Sequence, residues 1–550
     1  MRVLASERVQ WLDIRIWLLA NRLAAVAATQ KSADPHPILE MLGCARLQQL
    51  NQVVLALLLS AAGLLLAAAN GKRMVTSAGA DPVTPSNGQV PADFDKEVAR
   101  VVAEIDGIES STLHDMSSTT LDRQGQIRTL GKLLIFDKNL SVHRNEACSF
   151  CHTPETGFTG PIQSLNESTV SYPGSVRSRF SNRKPQSYMY APYAPVLHYD
   201  KLQGDFVGGN FWDMRASGYR LQSPSAEQAQ GPPTNPVEMG LPDSACVAYR
   251  LSQARYRKLF ETVWGADSFD IRWPANVEQV CSTPAPPPEN DQYPVHLSVQ
   301  DRVRANHVYD EFGLAVAAYE LSPEISPFTS KYDFVQTGKA EFTAQEALGY
   351  KLFRGKARCN ECHRDGGPGE EPLFTDFTSS NLGVPRNPAL QFYFEAQPDA
   401  AGYSPNPQGQ AYVDPGVGGF LLRLKSLSGQ LNPDSAWVEL APKFEGKIQV
   451  PTLRNVDMRP SPGFVKAYMH NGYFKSLKEV VHFYNTRDVL PVCQPGQAGA
   501  GISCWPPPEN PANENKRQLG NLGLSDQEED ALVAFLKTLT DGYHAPAKAH

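Results

Sequence analysis

Two short stretches, Ala147-Cys-Ser-Phe-Cys-His-Thr153 (ACSFCHT) and Arg358-Cys-Asn-Glu-Cys-His-Arg364 (RCNECHR), decide the fold. Each sets two cysteines three positions apart and puts a histidine directly behind the second. Thiols at this spacing reach the two vinyl groups on one edge of a porphyrin, and the imidazole that follows then lies under the ring as an iron ligand. The rival reading is a zinc site built from two knuckles and four thiolates. Zinc does not need a histidine after the second cysteine in both copies. The sequence therefore predicts two covalently attached c-type haems, on Cys148 and Cys151 and on Cys359 and Cys362, with His152 and His363 as proximal ligands.

Working outward, a similar apolar segment approaches each motif: LGKLLIF at 130–136 and LGYKLF at 348–353. That weak internal repeat points to two copies of one fold. Thr343 with Glu346, and Ser525 with Glu528, have capping-box spacing. Behind Ser525, Leu532, Phe535, Leu536 and Leu539 form an amphipathic stripe, and residues 305–321 read as a helix closing the first unit. Pro, Gly, Asn and Gln make 265–300, 391–440 and 488–520 loop-like, and few period-2 strands appear. The expected fold is mainly α: two cytochrome c-like haem domains with long loops, preceded by an N-terminal hydrophobic export segment.

The 550 residues, 41% hydrophobic and 20% charged, describe a folded protein long enough for two or three domains. A net charge of −7 argues against nucleic acid as a partner. Residues 52–69 (QVVLALLLSAAGLLLAAA) carry no charge and would span roughly 27 Å as a helix, the short end of what crosses a bilayer. They read as a cleaved signal peptide, ending in the small residues Ala67 to Ala69, or as an uncleaved membrane anchor. Residues 1–51 read as a leader or a mis-called extension, 70–95 as a linker, 96–335 as the first haem domain and 336–550 as the second. Of nine cysteines, four lie in the motifs and Cys44 in the leader. The other four fall into two local pairs beside Pro-rich loops, expected as disulfides Cys246–Cys281 and Cys493–Cys504 in an oxidising compartment, the periplasm. Free buried thiols are the alternative.

Around these motifs the chain resembles the bacterial diheme cytochrome c peroxidase/MauG superfamily over roughly residues 120–545. The first haem segment (130–160), NFWDMRA (210–216) with EQAQGPPTNPVEMG (227–240), and the second haem segment (349–363, with PLFTDFTSSNLGVP) carry the resemblance. VPTLRNV and YMHNGYFKSLKEVVHFYN complete it in the family order. The resemblance implies that the first haem reacts with hydrogen peroxide and the second stores or relays an electron. It implies that Gln228 and Glu238 lie on the distal side of the first haem, where a carboxylate and an amide can move a proton between peroxide oxygens. It also implies that Trp212 bridges the haems. The family more often has Gly where this chain has Met214, which bears on the local turn.

Two departures set the subtype. Peroxidases of the family that need reductive activation carry a capping histidine after the first motif; here no histidine occurs between His152 and His198, so the first haem is expected to stay open, with His198 in the core or at the surface. Where many members place a methionine ligand on the second haem, this chain has Tyr484, as in the tyrosine-ligated branch; Met469 is the runner-up. A phenolate favours higher iron oxidation states than a thioether does. The family commonly holds calcium between the domains; residues for it do not align clearly here, so calcium stays open. The implied activity is peroxide-driven oxidation of a partner protein or small redox partner. Three alternatives stand beside it: a conventional peroxidase fed by a small cytochrome or cupredoxin, a non-catalytic diheme electron-transfer cytochrome, and a dioxygen-using cleavage enzyme of the wider superfamily.

Overall fold

A computed structural model of the chain describes residues 94–118, 121–286, 291–367, 369–424 and 435–544. The export segment at 52–69, the leader before it and most of the linker lie outside the described residues. Among the described residues no helix is long and apolar enough to cross a membrane.

Helices dominate because the apolar residues recur at helical spacing and the ends are capped. Both expected capping boxes form: Thr343 caps Ala344–Arg354 with Glu346 reaching back, and Ser525 caps Asp526–Lys537 with Glu528. Among the described residues strands form two antiparallel ribbons, His198–Asp200 with Asp205–Val207 and Ser379–Ser380 with Ile448–Gln449.

The repeated Leu-Gly acquires a physical meaning in the packing. Helix Arg123–Phe136 crosses helix Val299–Glu320 at Gly131, where a methyl group would overlap the Ala315 carbonyl and lie 2.8 Å from Tyr319 Cβ. Helix Ala344–Arg354 crosses Asp526–Lys537 at Gly349, where a methyl would overlap the Ala531 carbonyl and lie 2.8 Å from Phe535 Cβ. Both crossings thus seat a glycine against an alanine and the aromatic one turn further on. Each helix pair anchors its own core, one around Leu134, Phe150, Phe260 and Phe312, the other around Phe353, Phe374, Phe483 and Phe535.

Three expectations need correction. The closing helix of the first unit starts at Val299, not 305, because the Ser298 hydroxyl caps it by accepting from the Asp301 N–H at 3.1 Å. A helix, Gly416–Arg423, interrupts the expected loop 391–440; its Val417, Phe420 and Leu421 are buried with Leu197, Phe206 and Phe444 in a third core. A short helix, Val277–Cys281, likewise interrupts 265–300 and brings Cys281 to Cys246, with Cα atoms 5.4 Å apart in the disulfide. Cys493 and Cys504 are also bonded.

Candidate active site

Each CxxCH begins with a 3-10 turn, Cys148–Phe150 and Cys359–Glu361, that brings the two thiols and the histidine together. His152 Nδ1 lies 2.8 Å from the Phe158 carbonyl, and His363 Nδ1 lies 3.1 Å from the Phe374 carbonyl. A carbonyl only accepts, so each Nδ1 carries the proton and each Nε2 keeps a lone pair for a metal. Both phenylalanines adopt left-handed backbone, φ 52° and 54°. That costs strain, which their buried rings offset, and it aims each carbonyl back at its histidine. The following threonines match too: Thr159 Oγ1 donates to the Pro185 carbonyl and Thr375 Oγ1 to the Val450 carbonyl, both at 2.6 Å. Sequence reasoning missed this Phe-Thr pair behind each motif, although GFTG and LFTD carried the signal.

The two motifs open onto different cavities. The first, about 170 Å³, is walled by Cys148, Cys151 and His152 together with Trp212, Gln228 and Glu238. The second, about 240 Å³, is walled by Cys359, Cys362 and His363 together with Met469, His470 and Tyr484. Four thiolates therefore do not converge, and no group of three or more His, Cys, Asp or Glu among the described residues could hold a metal ion, which removes the zinc-knuckle reading. Burial pushes Cys148 and Cys359 up to about 12 and Cys362 up to about 11, so these thiols stay protonated. Burial also lowers His152 to about 4, which keeps its imidazole neutral and able to ligate iron. Free thiols paired on a cavity wall, each with a neutral, oriented imidazole, fit a covalently held haem in both places.

Glu238 follows a tight turn in the wall of the first cavity; its Oε1 accepts from Asn235 Nδ2 at 2.8 Å. Burial raises its proton affinity, and the Arg215 guanidinium and Asn235 oppose the rise. Gln228 sits on the helix Pro224–Ala229, capped by Ser223. His152 is the only histidine among the described residues that line this cavity. His198 is exposed at the start of an otherwise half-buried strand, its Nδ1 on the Val196 carbonyl.

Trp212, Gln228, Lys184 and Gln186 belong to both cavity walls. The Trp212 indole N–H donates to the Lys184 carbonyl at 3.1 Å, and its own carbonyl accepts from the Gln449 N–H at 2.8 Å, so both halves hold it. Met214, two residues on, is fully buried with φ 60°. The turn that commonly uses glycine is kept, and burial of the side chain in the third core offsets the strain. Tyr484 lies on the capped helix Leu477–Thr486, and burial raises its phenol above the usual range.

Residues 126–341 match the family model for di-haem cytochrome c peroxidase. The chain is 33% identical over 427 residues to methylamine utilization protein MauG of Paracoccus denitrificans, covering 76% of this chain and 90% of that one. The chain belongs to the di-haem cytochrome c peroxidase/MauG family. A cytochrome-c peroxidase, IdrP1, of Denitromonas iodatirespirans is 28% identical over 75% of this chain and 80% of its own length. The crystal structure of the diheme peroxidase BthA from Burkholderia thailandensis superposes with a TM-score of 0.55 at 26% identity, covering 77% of this chain and 90% of that one. Membership makes the protein an oxidoreductase with two haems, acting on peroxide together with a redox partner or substrate protein.

Proposed function

We propose that this family member reduces hydrogen peroxide in the first cavity and shares the oxidising equivalents with a tyrosine-ligated second haem, to oxidise a protein or small redox partner. The observation that carries the reading is the common wall: Trp212 and Gln228 line both cavities, and Glu238 and His152 both line the first. Overall, one peroxide takes up two electrons and two protons and leaves as two waters. Cys148, Cys151 and His152, and Cys359, Cys362 and His363, would hold the two haems, which would supply the redox-active iron.

Glu238 takes a proton from one peroxide oxygen and returns it to the other, and Gln228 orients the molecule by hydrogen bonding. Burial serves this role, since a carboxyl raised toward neutrality exchanges protons more readily near neutral pH. Trp212 divides the path between the redox centres. Tyr484 ligates the second haem, with Met469 the alternative in the same wall, and an anionic oxygen donor favours the more oxidised iron. Both CxxCH motifs and both disulfides suit an oxidising compartment, and we assign the protein to the periplasm.

Low-temperature EPR of the purified ferric protein, before and after one equivalent of peroxide, tests the reading. One high-spin and one low-spin haem whose signals fade together support it. Two low-spin haems indifferent to peroxide overturn it in favour of an electron carrier.

A further inference from the structure

Arg215 stands in the wall of the first cavity with Gln228 and Glu238. Two contacts fix its guanidinium: Nη1 lies 2.9 Å from Asp213 Oδ1, and Cζ lies 3.7 Å from the centre of the Phe211 ring. Asp213 is itself locked, 3.0 Å from Arg183, which meets Asp414 at 2.6 Å. Burial alone would raise Asp213, yet Arg215, Arg183 and Arg423 hold it below the ordinary carboxylate range, so it remains the anion that Arg215 needs. Only Nη1 donates to a described residue, and with the side chain 35% exposed the rest of its five-donor fork has no protein partner. Arg215 is also the cation that acts on Glu238.

We propose that Arg215 is a further catalytic residue, whose free N–H groups bind the outer oxygen of peroxide as the O–O bond opens. The inference rests on the first-cavity reading given above. Glu238 removes the proton of the inner oxygen. The O–O bond then breaks with its electron pair on the outer oxygen, which takes the proton from Glu238 and departs as water; the inner oxygen and the two oxidising equivalents would stay with the two-haem unit until two electrons from the redox partner and two protons released it as the second water. Arg215 stabilises the negative charge on that departing oxygen, while Asp213 and Phe211 hold the fork in place before the charge develops.

The test uses the purified diheme protein with R215Q and R215K. Stopped-flow gives the rate constant for peroxide, and optical titration of the ferric protein gives its affinity for fluoride, a small anion that needs the same donor. R215Q is expected to slow the peroxide reaction about 10²–10³-fold and to weaken fluoride about 10–100-fold. R215K, which keeps the charge but loses the fork, recovers part of both and serves alone if R215Q fails to fold. A reactive wild type whose rate and fluoride affinity neither variant changes overturns the inference. A wild type inert to peroxide overturns the first-cavity reading, and the inference with it.

Discussion

The two helix crossings, Gly131 on Ala315 and Gly349 on Ala531, follow one plan, as do the two histidine–phenylalanine contacts beneath them. The cavities they support do not. Glu146, Glu238 and Glu320 line the first, all buried or partly so, and burial raises the proton affinity of each. Among the described residues no carboxylate lines the second, whose cations are Arg358, Arg454, Lys466 and Lys184, the last shared with the first. One scaffold therefore carries two differently lined cavities. Carboxyls that are easily protonated suit the movement of protons around peroxide. In the second cavity burial raises the Tyr484 phenol, so a phenolate there would need a metal ion to displace its proton.

The largest expected effect separates these roles. Glu238→Gln should slow the reaction with peroxide about 10²–10⁴-fold, the contribution of a positioned proton carrier. Tyr484→Phe should leave that first step within a few-fold of wild type and shorten the life of the oxidised product. Stopped-flow spectra follow both, and equal slowing by the two variants would break the division of labour.

Next come the disulfides, one in each half. Cys246–Cys281 closes a loop with a sequence separation of 35 and Cys493–Cys504 one of 11. Loop-closure entropy predicts that replacing each pair by serine costs about 4 and about 3 kcal/mol. Urea unfolding would measure both, and the reverse order would show that local packing outweighs loop length.

The crossings themselves are expected to answer alike. Alanine is the better helix former by about 1 kcal/mol, but the overlap with a backbone carbonyl costs about 1–3 kcal/mol and moves only if the helices part. Gly131→Ala and Gly349→Ala should each lose about 1 kcal/mol net, read as a lower unfolding midpoint. Stabilisation by either one would mean that its crossing is loose.

How much of this was legible follows the range of each signal. The CxxCH repeats, capping boxes and Leu-Gly repeats are local patterns, and they yielded the two cysteine–histidine clusters and the helices around them. Glu238, Gln228 and Trp212 were reached only through the family resemblance, since a buried carboxyl or indole looks the same in any core. The helix Gly416–Arg423 stayed hidden because its glycines and the flanking prolines mask an apolar face that Phe206 and Phe444 complete from elsewhere in the chain. Arg215 gave no local signal, because its meaning lies in Asp213, Phe211 and a cavity assembled by other segments.

The smallest effect tests the contrast in charge, and its sign differs between the halves. Glu320 is buried in the first cavity and its folded proton affinity stands well above the ordinary value of 4.5. As pH rises past that value the unfolded chain ionises first, so the fold loses stability up to the folded value. Glu320→Gln removes this loss, and its advantage over wild type should grow by on the order of 1 kcal/mol between pH 5 and pH 7. Lys466, in the second wall, donates to the Thr156 and Met458 carbonyls at 2.9 and 2.7 Å, and burial lowers its proton affinity well below 10.5. Here the unfolded chain binds the extra proton, so the fold gains stability as pH rises from the folded value toward 10.5. Lys466→Met removes that gain, so the difference between variant and wild type should shift against the variant as pH rises. Unfolding curves at several pH values give both slopes, and slopes of the same sign would remove the electrostatic distinction between the two cavities.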